Sequence, residues 1–280
     1  MNDFDLSIDG ASCRIWLDGP AWDGAPAAAI GELRIDDARA GAALLTMACA
    51  QLADRGRTAV LAPMDGDTWH AYRAVTTSDG TPPFALEPQS GPHDVAALMA
   101  AGFIGITDYV SSRAPVPAHD EPAPDVAGVT IRAWDGQGAV ALLDRLFALS
   151  GGSFADKLFF KAIDRDAFLA LYRPLLATID PRLVLFAVGD DGDLAGFLFG
   201  LPDWQQGAKP TTAILKTYAS LRRGVGHALA HEFHTRARDF GFTDVVHALM
   251  HVDNVSLARS AQHEGHIFRR YTLFGRRTPT

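Results

Sequence analysis

Residues 215–229, LKTYASLRRGVGHAL, read as an extended segment, a basic turn punctuated by glycines, and the start of a helix. Gly224 and Gly226 put no side chain between a ligand and the backbone N–H groups of the first helical turn. Those donors have no partner inside the helix, and the aligned peptide dipoles make that end electropositive. Arg222 and Arg223 add two fixed positive charges at the same mouth. A strand running into such a turn is an anion site whose usual occupant is a phosphate or pyrophosphate.

The class of phosphate site follows by spacing. A dinucleotide turn needs a third glycine where Leu229 stands, and a P-loop needs a Gly-Lys-Ser/Thr end that the chain lacks. The stretch resembles the coenzyme A loop of the GNAT acyltransferases, in which Arg/Gln-x-x-Gly-x-Gly follows a central strand. Leu221 stands where that superfamily usually has Arg or Gln, and the turn is shorter than usual. The plain alternative is a strand–turn–helix whose glycines serve tight geometry.

The flanks extend the pattern. A helix is expected over 226–240, with Val225, Leu229, Phe233, Ala237 and Phe240 along one side and Gly241 as its C-cap. A buried strand (243–250), a helix to about Glu264 and an alternating strand (267–274) follow. Upstream come a strand at 128–134, helices at 139–149 and near 165–176, and a hairpin of 182–189 with 194–201 around Asp190-Asp191-Gly192-Asp193.

The first 110 residues repeat this second half at an offset of 185. Gly41 falls on Gly226, Leu44 on Leu229, Gly56 on Gly241, and residues 30–35 on 215–220. So many matches in order indicate duplication. The first copy has room ahead of Ile30 for a hairpin only, and Asp36-Asp37 replaces the paired arginines, where two carboxylates would repel a pyrophosphate. A Pro-rich acidic stretch, 114–125 (APVPAHDEPAPD), is expected as a semi-rigid spacer. The expected organisation is therefore a truncated GNAT-like domain without a coenzyme loop at 1–113, a linker at 114–126 and a complete one at 127–280. The fold class is α/β (α+β): two GNAT-like domains, each with a mixed, mostly antiparallel central sheet flanked by helices.

The resemblance implies acyl transfer from acetyl-CoA, or another acyl-CoA, to an amine of a small molecule or peptide. It implies coenzyme contacts from the backbone of Leu215, Lys216, Thr217, Tyr218 and Ala219, from Arg222, Arg223, Gly224, Val225, Gly226 and His227, and from Asn254 and Ser256. The superfamily often carries a tyrosine general acid on the helix after that Asn. Here Ala261 and Gln262 stand near the place and the helix has no tyrosine. Tyr218, His251 and Ser256 are the substitutes by position, against plainer roles as core residue, loop residue and N-cap. In the first copy, Trp69, Tyr72 and Arg73 beside Asp65 and Asp67 would line an amine pocket, or pack the domain interface while the aspartates shape a turn.

Composition bounds the rest. The 280 residues are 48% hydrophobic, enough for two packed domains. Two cysteines without CxxC spacing fit a reducing, cytoplasmic compartment, and no apolar run reaches membrane-spanning length. The net charge of −8 argues against nucleic acid and favours a cationic acceptor. His227, His231 and His234 share one helix face, but that face lies opposite the apolar one, so no metal is expected. Two other readings stay open: a non-catalytic acyl-CoA-binding or regulatory module, and a metal-dependent hydrolase built on the histidine face. Acceptor identity and oligomeric state are not legible in the sequence.

Overall fold

The structure, a computed structural model, describes residues 3–118, 122–155, 157–177 and 179–277. Its first half runs β1 (Phe4–Ile8), β2 (Ala11–Trp16), β3 (Ala27–Ile35), α1 (Ala38–Ala53), β4 (Ala59–Ala62), β5 (Ala74–Ser78), α2 (Asp94–Ala100) and β6 (Ile104–Pro115). The second runs β7 (Val129–Ala133), α3 (Ala139–Phe154), α4 (Arg165–Tyr172), β8 (Val184–Gly189), β9 (Leu194–Pro202), β10 (Thr212–Ser220), α5 (Val225–Asp239), β11 (Asp244–His251), α6 (Val255–Gln262) and β12 (His266–Arg277). Part of the Pro-rich stretch, 119–121, lies outside the described residues.

The duplication is visible in the hydrogen-bonded registers. In the first half β3 lies parallel to β4 with Ala27 opposite Ala59 and Ala29 opposite Leu61. In the second, β10 lies parallel to β11 with Thr212 opposite Asp244 and Ile214 opposite Val246. Adding 185 to either partner of the first pairing yields the second. Each parallel pair is bridged by a helix that buries one apolar stripe: Leu44, Leu45, Ala48 and Leu52 of α1, and Val225, Leu229, Phe233 and Ala237 of α5. Gly241, at φ +81°, ends α5 with its N–H on Arg238 O while Phe242 N–H reaches Ala237 O. A left-handed residue there satisfies two of the helix's orphan carbonyls, and glycine adopts that φ without a Cβ clash.

The two central sheets are continuous. Strand order is β1-β2-β3-β4-β12-β6-β11-β10-β9-β8-β7, with β5 also on β12. The halves exchange their last strands: β12 pairs with β4, and β6 pairs with β11. The result is one long mixed sheet flanked by helices. A loop of the first half reinforces the union, since Phe84 and Ala85 are buried against Leu201, Ile214 and Val246. Cys13 and Cys49 are free and buried in the first core, and burial pushes their thiols up to about 12 and about 11. Among the described residues no helix is long and apolar enough to cross a membrane.

Candidate active site

The sheet opens between β10 and β11. Their parallel ladder ends at Leu215 and His247, and each strand is irregular just beyond. In β10 the register slips between Leu215 and Thr217 against β9. In β11 Leu249 adopts φ +58° and sends its N–H to Ser111 Oγ on β6, 3.1 Å away. The slip places Lys216 and Thr217 on one face, while Leu215 and Tyr218 pack with the α5 core on the other. At the far end of β10 the four residues 221–224 lead into α5, whose N-cap is Gly224 at φ +87° with no side-chain cap. Arg223 is exposed, and Arg222 reaches Asp191 on the neighbouring hairpin at 3.2 Å. That pair is exposed and worth little to stability.

On the α5 face the structure brings three expected residues together. Asn254 caps α6 by accepting Ser256 N–H at 3.1 Å, and the same Oδ1 accepts the Ser256 hydroxyl at 3.1 Å. Tyr218 then donates its hydroxyl to Ser256 Oγ at 2.5 Å. The result is an ordered relay, Tyr218 to Ser256 to Asn254. Ser256 is thus the capped residue and Asn254 the cap. His251 lies apart from the relay: its Nδ1 accepts Asp253 N–H at 3.1 Å and its Nε2 faces Thr107 Oγ1 at 2.8 Å. A Cβ at Gly226 would sit 3.0 Å from the Tyr218 ring and press on it. His227 is exposed beyond it.

His234 corrects the expectation that the histidine face of α5 looks to solvent. It is buried, because β11 and α6 build a second wall on that side. Its Nδ1–H bonds Ala230 O at 2.8 Å, so its Nε2 accepts from His247 Nε2–H at 2.9 Å. His247 Nδ1 in turn accepts the Ser260 hydroxyl at 2.7 Å, and His263 stacks on His234 at 4.5 Å. His234 and His247 are held neutral. Desolvation, with the neighbouring histidines adding to it, pushes His234 down to about 4 and His247 to about 3 from the ordinary 6.5. The unfolded chain therefore binds more protons below pH 6.5, and stability falls as pH falls. Between pH 7 and pH 5 the pair should remove about 3–4 kcal/mol, measured by urea unfolding. A flat profile over that range would show that the histidines are not buried in neutral form.

The other face of the opening is shared between the halves. A cavity of about 70 Å³, lined by Leu143, Leu146, Phe168, Phe197, Trp69 and Thr217 among others, lies beside β10. Trp69 enters from the first half, edge-on to Phe154, Phe160 and Phe168, and its indole N–H bonds Lys161 O at 2.8 Å. Trp69 thus serves the interface, and the aspartates shape the turn. Asp67 accepts Trp69 N–H at 2.8 Å, and Asp65 accepts Glu32 N–H at 2.8 Å. Arg73 approaches β11 at Leu249, where its Nη1 lies 3.3 Å from the carbonyl, and Tyr72 packs edge-on to Tyr109 of β6. Lys216 donates to Leu86 O at 2.7 Å. Arg73, expected as a pocket residue, belongs to this face together with the Lys216 side chain, of which the sequence marks only the backbone. Both positions depend on long-range approach of the two halves.

The first copy has the same two features, and its own carboxylates fill both. Only residues 36 and 37 separate β3 from α1, and Asp37 Oδ1 accepts the N–H groups of Arg39 and Ala40, each at 2.9 Å. Where β3 would part from β4, Met64 N–H bonds Ile30 O and Asp65 crosses to Glu32. A Cβ on Gly31 would lie 2.1 Å from that Asp65 oxygen. Lys216 is its counterpart in the second copy.

No family model matches the chain, and no curated protein matches it in sequence. Solved structures do. A GCN5-related N-acetyltransferase from Sphaerobacter thermophilus is similar over 97% of this chain and 78% of its own, at 14% identity and a TM-score of 0.55. A tandem GNAT protein from the clavulanic acid biosynthesis pathway is similar over 96% and 80%, at 18% identity and a TM-score of 0.55. A probable N-acyltransferase from Enterococcus faecalis is similar over 97% and 60%, at 10% identity and a TM-score of 0.55. Likeness at such identities speaks for architecture, and the architecture of this chain is the GNAT fold in tandem.

Proposed function

We propose that the chain is an acyl-CoA-dependent N-acyltransferase that works from its second half, residues 127–280, with the first half as a coenzyme-free partner. The linker expected at 114–126 starts later than its sequence suggests, because Ala114 and Pro115 end β6 and pair with β11. One contrast carries the reading. The first copy closes its helix N-terminus with Asp37 and its strand opening with Asp65, whereas α5 has no side-chain cap and the β10–β11 ladder ends at Leu215 and His247. Carboxylates of the chain occupy in one copy the two places where a pyrophosphate and an acyl oxygen would bind in the other.

In this reading the pyrophosphate sits on the N–H groups at Gly224, Val225 and Gly226, with Arg222 and Arg223 neutralising charge and His227 and Asn254 at the rim. Pantetheine runs along the backbone of Leu215–Ala219 into the opening. Thr217, counterpart of Glu32, turns its N–H to the thioester carbonyl, where charge develops as an amine attacks. The carbon–sulfur bond breaks as the carbon–nitrogen bond forms, and the leaving thiolate takes a proton from the Tyr218–Ser256 relay. His251, held by Asp253 and Thr107, is the remaining candidate for moving the amine's proton. No metal is required for this chemistry, and the acceptor is an amine of a small molecule or peptide.

The test is calorimetric titration with acetyl-CoA, alongside release of free coenzyme thiol in the presence of an amine panel. Micromolar binding is expected for both the wild type and Tyr218→Phe, with release in the variant at least about 100-fold slower. No coenzyme binding by the wild type would sink the reading. Binding without turnover on any amine would favour a non-catalytic acyl-CoA-binding module.

A further inference from the structure

Arg73 is almost fully buried, at 5% exposure, with no carboxylate paired to it among the described residues. Its guanidinium is clamped between two rings, 3.9 Å from the centre of Tyr72 and 3.7 Å from that of Tyr109. Its polar contact is the long 3.3 Å approach to Leu249 O, and its buried Nε has no partner. A buried guanidinium is costly unless its donors are met, and stacking on aromatic faces holds the plane without using them. Lys216 lies within its field: burial and the charge of Arg73 push the ammonium down to about 7. The nearest buried carboxylate, Glu87, is spent on Arg269 and Tyr271.

The backbone around the two cations is bent to receive them. Arg73 itself has φ +75°, and the carbonyls contacted by Arg73 and Lys216 belong to Leu249 and Leu86, at φ +58° and +61°. Three non-glycine residues in the left-handed region at one point mark a place where surrounding structure holds strain. The cations come from opposite halves of the chain, at the level where β10 and β11 part. A guanidinium without a carboxylate, beside an amine that protonates near pH 7, is a local reversal of sign in a protein of net charge −8.

We propose that Arg73 and Lys216 form a carboxylate-binding site at the acyl-transfer centre, so that one of the two reacting partners carries a carboxylate next to the reacting atoms. This rests on the acyltransferase reading and narrows it. The carboxylate belongs either to the acceptor, as in an α-amino acid, or to the acyl group, as in a dicarboxylic acyl-CoA. The apolar cavity is lined by Thr217, the residue after Lys216, and would take a small apolar portion of the same ligand. A zwitterionic acceptor also fits a protein whose net charge of −8 attracts an ammonium while this site offers cations to a carboxylate.

Two matched pairs of probes test it by calorimetry and thermal shift: succinyl-CoA against acetyl-CoA, and N-acetyl-L-phenylalanine against its amide. In one pair the carboxylate member should bind wild type at least 10-fold more tightly. Arg73→Gln should abolish that difference while the member lacking the carboxylate binds as before. Preference within the coenzyme pair puts the carboxylate on the acyl group, and preference within the amino-acid pair puts it on the acceptor. Should Arg73→Gln fail to fold, Lys216→Met and Arg73→Lys provide the same comparison, each expected to reduce the preference. Acetyl-CoA binding with no carboxylate preference in either pair overturns the site and leaves the acyltransferase reading standing. Carboxylate preference in the amino-acid pair with neither coenzyme bound overturns the acyltransferase reading and leaves an anion site. Binding of none of the four probes overturns both.

Discussion

Gly224→Asp should weaken acetyl-CoA binding by at least about 100-fold, close to 2.8 kcal/mol. Gly224 is the N-cap of α5 at φ +87°, a conformation that an L side chain adopts with strain of about 1–2 kcal/mol. Strain alone would move stability more than affinity. The larger effect is electrostatic: a carboxylate at the helix N-terminus takes the N–H groups for itself and repels an incoming pyrophosphate. Two unit charges about 4 Å apart near a protein surface interact by about 4 kcal/mol, so a 100-fold loss is within reach. The first copy already shows the outcome, because Asp37 accepts from Arg39 and Ala40 at 2.9 Å and closes the end of α1. Gly224→Ala separates the two causes, since it keeps the strain and omits the charge; its loss should stay below about tenfold. Equal losses in the two variants would show that the loop is a packing turn and that the coenzyme, if bound, lies elsewhere.

Much of this architecture is legible in the sequence, because duplication makes local signals check each other. The offset between Gly41 and Gly226 aligns two strand–helix–strand units whose ladders share one register. Glycines that end helices, alternating strands and the Asp-rich hairpin turn are local effects, and local effects are written in neighbouring residues. Strand exchange is different. β6 and β12 read as strands, but which half each joins depends on competition between edges that one segment does not encode. The same limit leaves Arg73 a pocket candidate with no partner named, since its contact is with Leu249 176 residues away. His234 is misjudged for a related reason: a helical wheel locates the side away from the principal core, and α5 is walled on two sides. Tyr218 and Ser256 were recognisable by position, whereas their hydrogen bond requires the reach of a tyrosine from β10 to α6.

Glu87→Gln should destabilise the protein by about 3–5 kcal/mol, the usual effect of stranding one member of a buried ion pair. The side chains of Glu87 and Arg269 are 1% and 4% exposed and meet at 2.5 Å. Glu87 also accepts the Tyr271 hydroxyl and Phe84 N–H, and Arg269 reaches Thr81 O. The network continues outward: Ser111 lies 3.0 Å from the Tyr271 hydroxyl and accepts Leu249 N–H, so Glu87 anchors the bent part of β11. It also anchors the loop whose Leu86 carbonyl receives Lys216 and whose Ala85 N–H bonds Asp203 at 2.9 Å. Urea unfolding of Glu87→Gln, Arg269→Met and the combination Glu87→Leu with Arg269→Met distinguishes charge from packing. Replacing both charges removes the uncompensated ion, so the double variant should be more stable than either single one. Strictly additive losses would instead mean that the two residues act through separate contacts. Because the anchored loop belongs to the first half and the bent strand to the second, the single variant should also lose the preference for succinyl-CoA or N-acetyl-L-phenylalanine that Arg73→Gln abolishes. A loss of stability without that loss of preference would separate the buried pair from the cationic site it borders.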